Sequence, residues 1–251
     1  LKISIITVCR NAAETIKDTL DSVAGQTWPE IEHIIVDGLS DDNTLEIVAT
    51  YPHVAKVISE KDDGLYHAMN KGIGLASGDI VGILNADDFY AEHNVIEKVA
   101  YLFIQTSCQA IYGNLICVDR MELSKVTRKW RAGKYDINAF YNGWSPPHPT
   151  FFVKRNLYSQ YGLFDTRFSI AADYEMMLRL LLKFQVEVRY LDCLLVVMRS
   201  GGLSNRSLKS RLIANREDRI AWEVNGLKPH LFTLILKPLT KLKQFIFKWQ
   251  K

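Results

Sequence analysis

Cysteine is scarce and scattered. The four residues Cys9, Cys108, Cys117 and Cys193 form no C-x-x-C pair and no cluster with histidine. That argues against a structural zinc site and for a reducing compartment. No apolar run approaches the ~18 residues needed to span a bilayer. No signal peptide is visible, and a strand pattern begins at Ile3, so the expectation is a cytoplasmic protein. Glycine is missing from the first strand–helix connection, Cys9-Arg10-Asn11, which excludes a G-x-G-x-x-G fingerprint and a P-loop there. Repeats and low-complexity segments are absent as well.

The composition is that of a globular domain, 48% hydrophobic and 24% charged over 251 residues, long enough to bury a sizeable core. The net charge of +3 is small but unevenly placed. Residues 206–251 carry 11 Lys/Arg against 3 acids, or +8. The chain's +3 less that +8 leaves −5 on residues 1–205. Such asymmetry points to an anionic partner for the tail, not to general nucleic-acid binding.

Strand and helix patterns alternate through the first hundred residues. Ile3–Val8, His33–Val36 and Lys56–Ser59 read as strands, and the apolar run Ile80–Leu84 reads as a strand buried on both faces. Between them, helical spacing appears at Ile16, Leu20 and Val23, at Leu45 and Val48, and at Leu65, Met69 and Ile73. Asn11 is the expected N-cap of the first helix and Gly78 the expected C-cap of the third. Gly72 and Gly74 weaken that third helix by about 1 kcal/mol each, unless close approach to the sheet requires them. This alternation predicts βαβ units and a mainly parallel sheet flanked by helices. Further on, Ala110–Val118, Lys125–Trp130, Thr150–Val153, Val186–Leu191 and Leu194–Met198 read as strands, with helices at 95–103, 156–161 and from Ala172.

In open α/β sheets, ligands bind at the carboxyl ends of the strands. Acids stand at two such ends: Asp37, and Asp87 with Asp88 after Asn85. Hard oxygen donors of this kind suit Mg2+ or Mn2+ bridged to a phosphate. Read from spacing alone, each remains equally a turn acid closing a strand.

Four segments then resemble a family 2 glycosyltransferase of GT-A (Rossmann-like) α/β fold. They are Ser4–Asn11, His33–Asp42, Asp63–Gly72 and Leu84–Asp88. The likeness continues through Phe164-Asp165 and Asp173-Tyr174-Glu175, so it covers residues 3–205, and it is greatest to bacterial enzymes of surface-polysaccharide synthesis (O-antigen, capsule, exopolysaccharide). The resemblance implies a GT-A domain over 1–205, with a nucleotide-binding half (1–100) and an acceptor-side half (101–205), followed by a helical, basic extension over 206–251. It implies that Asp37, with Thr7 to Arg10, holds the base or ribose of a nucleotide-diphosphate sugar, UDP-linked by preference. Gly64, Asn70 and Lys71 would lie near the nucleotide or diphosphate, with Asn85 beside it. Asp87 and Asp88 would serve the Mg2+ or Mn2+ ion. Asp173 would be the catalytic base of an inverting transfer, with Glu175 the alternative base or a first-turn acid. Trp144, His148, Arg128 and Arg131 would line the acceptor side, with a satisfied loop histidine the alternative for His148. Arg199 with the Gly201-Gly202 part of the loop Ser200–Ser204 would close over the phosphates, with an ordinary turn the alternative. The implied acceptor is a lipid-linked saccharide at the inner face of the plasma membrane.

Two residues depart from the family's pattern. Asn85 replaces the first acid of the D-x-D-like triplet, which removes one charge from the metal site. His67 stands where this branch often has Asp. A non-catalytic nucleotide-sugar-binding module is the alternative that Asn85 favours. A sugar-nucleotide nucleotidyltransferase is the other, and it lacks its glycine-rich loop here. In the tail, apolar residues interleave with Lys237, Lys241, Lys243 and Lys248 without acids, which suggests a helix lying on an anionic membrane surface, interrupted by Pro238.

Overall fold

The computed structural model describes residues 1–201 and 208–246. The N-terminal half follows the alternation of the sequence: β1 (Ile3–Cys9), α1 (Ile16–Ala24), β2 (Ile31–Asp37), α2 (Thr44–Ala49), β3 (Val54–Ser59), α3 (Leu65–Leu75) and β4 (Ile80–Ile83). Then come β5 (Phe89–Tyr90), α4 (Val95–Gln105), β6 (Ala110–Val118), β7 (Val126–Trp130) and α5 (Ile137–Tyr141). A 3-10 turn at His148–Thr150 leads into β8 (Phe152–Lys154), α6 (Asn156–Tyr161) and α7 (Ala172–Met177). After a π-helical stretch at Leu178–Lys183, the chain forms β9 (Val188–Arg199), α8 (Leu208–Val224) and α9 (Thr233–Ile246).

Among the described residues one sheet forms, in the order β3-β2-β1-β4-β8-β6-β9-β5, with β7 beside β6. β1 to β4 are parallel, while β8 runs antiparallel to both β4 and β6. β6 and β9 therefore point the same way as β4. Cys9, Asp37 and Ser59 stand in register at the end of β1, β2 and β3. The ends of β4, β6 and β9 and the start of β8 share that edge, so the connections at all of these strand ends converge there.

Alternation of side chains gives the sheet two buried faces. Ile3 and Ile5 pack with Val95, Ile96 and Val99 of α4, whereas Ile6 and Val8 pack with Met69 of α3 and Met177 of α7. Gly72 is required by this packing, since a Cβ there would overlap Ile6 Cγ2. Gly74 meets nothing. α8 joins the same core, and Trp222 is fully buried with Nε1 donating to Tyr174 Oη at 3.0 Å.

Several local expectations shift. Helix α1 starts at Ile16, and Asn11 does not cap it. Asn11 instead adopts φ +50° and staples two loops: its amide donates to Ser40 Oγ and its Oδ1 accepts from the Asp41 amide. A short polar side chain tolerates that left-handed backbone. Gly78 does not cap α3, which ends at Leu75; it packs on Ser4, where a Cβ would lie 2.8 Å from the backbone nitrogen. The two late strands are one, β9, whose register against β6 shifts around Asn114. Thr150 lies in the 3-10 turn, not in β8, and Pro238 sits inside α9 without ending it. Of the expected loop Ser200–Ser204, residues 202–204 lie outside the described residues.

Candidate active site

The loop after β4 is held from beneath. Leu84 is tied to Ile6 by its backbone amide, and the Thr19 hydroxyl of α1 donates to Asp88 O at 2.7 Å. Arg199, at the end of β9, is buried below this loop. Its Nη1 donates to Asp87 O at 2.8 Å, Nη2 pairs with Asp18, and its backbone amide donates to Asp88 Oδ1 at 3.3 Å. The guanidinium also lies 5.4 Å from the Phe89 ring. Arg199 is thus a clamp under the acidic loop and does not reach over it, contrary to the expectation that it covers the phosphates. Both terminal nitrogens of the guanidinium are committed, one to a carbonyl and one to a carboxylate, while its Nε is buried without a partner.

This clamp sorts the two carboxylates. Asp88 is turned inward, and burial beside the Asp87 charge pushes its pKa well above the ordinary range, against the opposing Arg199. Asp87 faces outward, with Oδ2 3.8 Å from Arg120 Nη1 in the loop between β6 and β7. Asn85 is half-buried. Its Nδ2 reaches Asp88 Oδ2 at 3.5 Å, and its Oδ1 is buried without a hydrogen-bond partner. An unsatisfied buried carbonyl next to an outward carboxylate is a donor set that fits a hard divalent cation. Among the described residues no group of three His, Cys, Asp or Glu gathers. Mg2+ commonly takes one or two carboxylates and draws its other ligands from water and substrate phosphate, so Asp87 with Asn85 Oδ1 suffices in kind.

Asp37 is fully buried at the end of β2. It accepts from the Ser40 amide at 3.0 Å, the Ser40 hydroxyl, Ser59 Oγ at 2.7 Å and Cys9 Sγ at 3.6 Å. Burial alone would raise its pKa, but these donors hold it below the usual carboxylate range. Both oxygens are committed, so in this arrangement Asp37 shapes the loop Gly38–Ser40 rather than offering an open face. Thr7 is also buried, bonded to His33 Nε2 at 3.0 Å. Arg10 is exposed and lies along Gly38. Gly64 precedes α3 with φ +131°, a conformation that glycine alone adopts readily. Lys71 pairs with Glu60 at 2.7 Å and Asp62 at 2.6 Å. Asn70 exchanges two hydrogen bonds with the Phe164 backbone, at 2.9 and 3.0 Å, and so joins α3 to the segment leading to α7.

Asp173 comes to the same edge from the other half of the chain. It lies in the first turn of α7, but the N-cap is Ala171, so the capping role is not its own. The Tyr66 hydroxyl, donating to Ile170 O at 2.6 Å, lies 3.1 Å from Asp173 Oδ1. Oδ2 faces His148 Nδ1 at 4.0 Å, and burial lowers the pKa of that imidazole. Tyr66 lies in the first turn of α3, which follows β3, and His148 in the 3-10 turn before β8, so Asp173 sits between two segments of the carboxyl edge. Glu175 points the other way. It is buried against Arg179 at 3.1 Å and Asn225 at 3.0 Å, and burial raises its pKa. Two of the expected acceptor residues serve the scaffold: Trp144 donates to Ala132 O at 2.8 Å, and Arg131 pairs with Asp192. Arg128 stacks 4.6 Å from the Trp130 ring.

A parallel sheet with acids gathered at one edge is a general frame, and comparison with known proteins gives it a family. Residues 4–164 match the profile described as glycosyl transferase family 2. The chain belongs to that family. It is 29% identical over 208 residues to a PGL/p-HBAD biosynthesis glycosyltransferase of Mycobacterium bovis, covering 80% of this chain and 78% of that one. It is 32% identical over 186 residues to the Uncharacterized glycosyltransferase Rv1514c of Mycobacterium tuberculosis, covering 70% and 68%. Among solved structures it is similar to S. aureus TarS 1–349 in complex with UDP-GlcNAc (TM-score 0.70, 19% identity, 94% of this chain and 69% of that one). It is also similar to the mannosyltransferase PcManGT of Pyrobaculum calidifontis in complex with GDP-Man and Mn2+ (TM-score 0.64, 20% identity, 94% and 68%). These likenesses establish the GT-A fold.

Arg120, Tyr66 and Asp18 were not singled out by sequence reasoning. Arg120 had one faint signal, a base just past the end of a strand. It becomes legible only when β6 is known to run parallel to β4. Asp18 sits on an ordinary helical position and carries no local mark, and Tyr66 lies within the matching segment Asp63–Gly72 with nothing to distinguish it there.

Proposed function

We propose that this family 2 glycosyltransferase moves a sugar from a nucleotide-diphosphate donor, UDP-linked, to a hydroxyl of a lipid-linked saccharide, with inversion at the anomeric carbon. The reading extends to surface-polysaccharide synthesis at the inner face of the membrane. The observation that carries it is Asp173, hydrogen-bonded by Tyr66 and facing His148, at the edge where Asp87 faces outward. Oδ2 of Asp173 accepts no hydrogen bond from the described residues. A base must reach the proton it takes, and an uncommitted carboxylate oxygen at the site's mouth is free to do so.

In this reading Asp173 Oδ2 takes the proton of the acceptor hydroxyl. The acceptor oxygen bonds to the anomeric carbon as the bond to the diphosphate oxygen breaks, and the diphosphate leaves with the electron pair. Asp87 and Asn85 Oδ1 would hold Mg2+ or Mn2+, which when bound offsets the charge on the departing diphosphate. Arg120 supplies a second positive group beside Asp87. Asp88 and Arg199 keep the loop in place, and Asp37, with Ser40 and Ser59, shapes the wall for the base and ribose.

The test is hydrolysis or transfer with UDP-sugars and Mn2+ or Mg2+, with the product anomer read by NMR. Asp173→Asn should lose turnover and keep UDP binding. Turnover unchanged in that variant would sink the assignment of the base. Binding without turnover in the parent chain, across UDP- and GDP-sugars and acceptors, would favour a binding module instead.

A further inference from the structure

Over residues 233–240, helix α9 turns Thr233, Lys237 and Thr240 inward and packs Leu234 on the core, while Ile235 and Leu239 stay exposed. Thr233 is fully buried, with Oγ1 donating to Tyr141 O at 2.6 Å. Lys237 Nζ binds Asp218 Oδ1 at 2.6 Å and lies 3.2 Å from the centre of the Tyr174 ring. Thr240 Oγ1 reaches Gly143 O at 3.2 Å. Positions 233, 237 and 240 share one helical face. Leu231, Phe232, Ile235 and Leu239 are each at least 50% exposed. A helix that packs on its own domain for apolar burial shows the opposite pattern.

A contiguous apolar patch beside charge marks an interaction surface. Here the charge has one sign: besides the inward Lys237, the sequence from Val224 to Lys251 contains five lysines and no acid. Apolar anchors accompanied by lysine alone match an anionic lipid surface, which offers acyl chains and negative headgroups together. A protein partner would have to supply an acidic apolar groove. No helix among the described residues is long and apolar enough to cross a membrane, so such contact would be interfacial.

We propose that Leu231, Phe232, Ile235 and Leu239 form an interfacial anchor that lays α9 on an anionic bilayer. Because the inner face of α9 packs on Tyr174, next to Asp173, the anchor holds the acceptor side of the site against the membrane. This rests on the reading of the acceptor as lipid-linked, but the anchor is measurable without turnover.

The experiment is flotation of the full chain with vesicles of phosphatidylcholine alone or mixed with phosphatidylglycerol. The parent should float with the anionic vesicles, less so at high salt. The double variant Phe232→Ser/Ile235→Ser should bind about ten-fold more weakly or worse, with unchanged circular dichroism and unchanged hydrolysis of soluble donor. Ile104→Ser, an exposed change on α4, should float like the parent. Equal binding of parent and double variant, equal binding to neutral vesicles, or no vesicle binding at all would overturn the anchor. So would a dimer that the double variant dissociates without any lipid binding. Vesicle binding with no hydrolysis would sink the transferase reading and leave the anchor standing.

Discussion

Replacing Arg199 by methionine separates the clamp beneath the acidic loop from a merely charged surface. The side chain is only 4% exposed, while its partner Asp18 is 43% exposed. Methionine keeps much of the packing volume and removes the donors. Asp18 is then rehydrated, so that pair contributes no more than an exposed one, about 0–1 kcal/mol. The Asp87 carbonyl loses a charge-assisted bond in a buried setting, about 1.5–3 kcal/mol. The expected cost is therefore about 1.5–4 kcal/mol. Urea unfolding followed by tryptophan fluorescence measures it, with Asp18→Asn isolating the smaller share. Arg120→Met is the contrast. Its pair with Asp87 is long, at 3.8 Å, and both side chains are part-exposed, so stability should change by less than about 0.5 kcal/mol while turnover falls. If Arg199→Met unfolds within about 0.5 kcal/mol of the parent, the clamp reasoning is refuted.

The glycines of α3 give opposite signs. Gly72→Ala should destabilise by about 1–3 kcal/mol, because its Cβ overlaps Ile6. Gly74→Ala, facing open space, should stabilise by about 0.5–1 kcal/mol, and thermal melts decide both. Burial, with the neighbouring His53, lowers the His33 pKa to about 3. The unfolded chain then binds a proton that the folded chain refuses, so stability falls as pH drops below the unfolded value near 6.5. About 1 kcal/mol should be lost between pH 7 and pH 5.5, and His33→Gln should flatten that slope in urea titrations. Asp37 has the carboxylate sign: held below its ordinary pKa, its stabilisation is present at neutral pH and lost on acidification through the folded value. Asp37→Asn should therefore reduce the acid-induced loss below about pH 4. Finally, Glu175→Gln should lower stability more than turnover, and Asp173→Asn the reverse, as paired kinetic and unfolding measurements would reveal.

The sequence by itself determined the strand–helix alternation, the parallel direction of β1 to β4 and the placing of acids at their ends. Each of these follows from local periodicity and from the rule that a helical crossover returns the chain so that successive strands run the same way. The family resemblance offered Asp173, with Glu175 as the alternative, for the proposed base. Only the tertiary structure decided between their environments, since Glu175 is claimed by Asn225, fifty residues away. The same holds for Asp87 and Asp88, adjacent in sequence but turned apart by Arg199, which is 111 residues beyond Asp88. In the tail, interleaved Lys and apolar residues suggest a helix on an anionic surface, without showing which face the domain covers. Burying Lys237 takes the Asp218 carboxylate and the Tyr174 ring, and that combination, assembled from three helices, leaves the apolar side of α9 to the solvent. Periodicity shows that a helix has two faces; which one the domain covers depends on partners that pattern alone does not bring together.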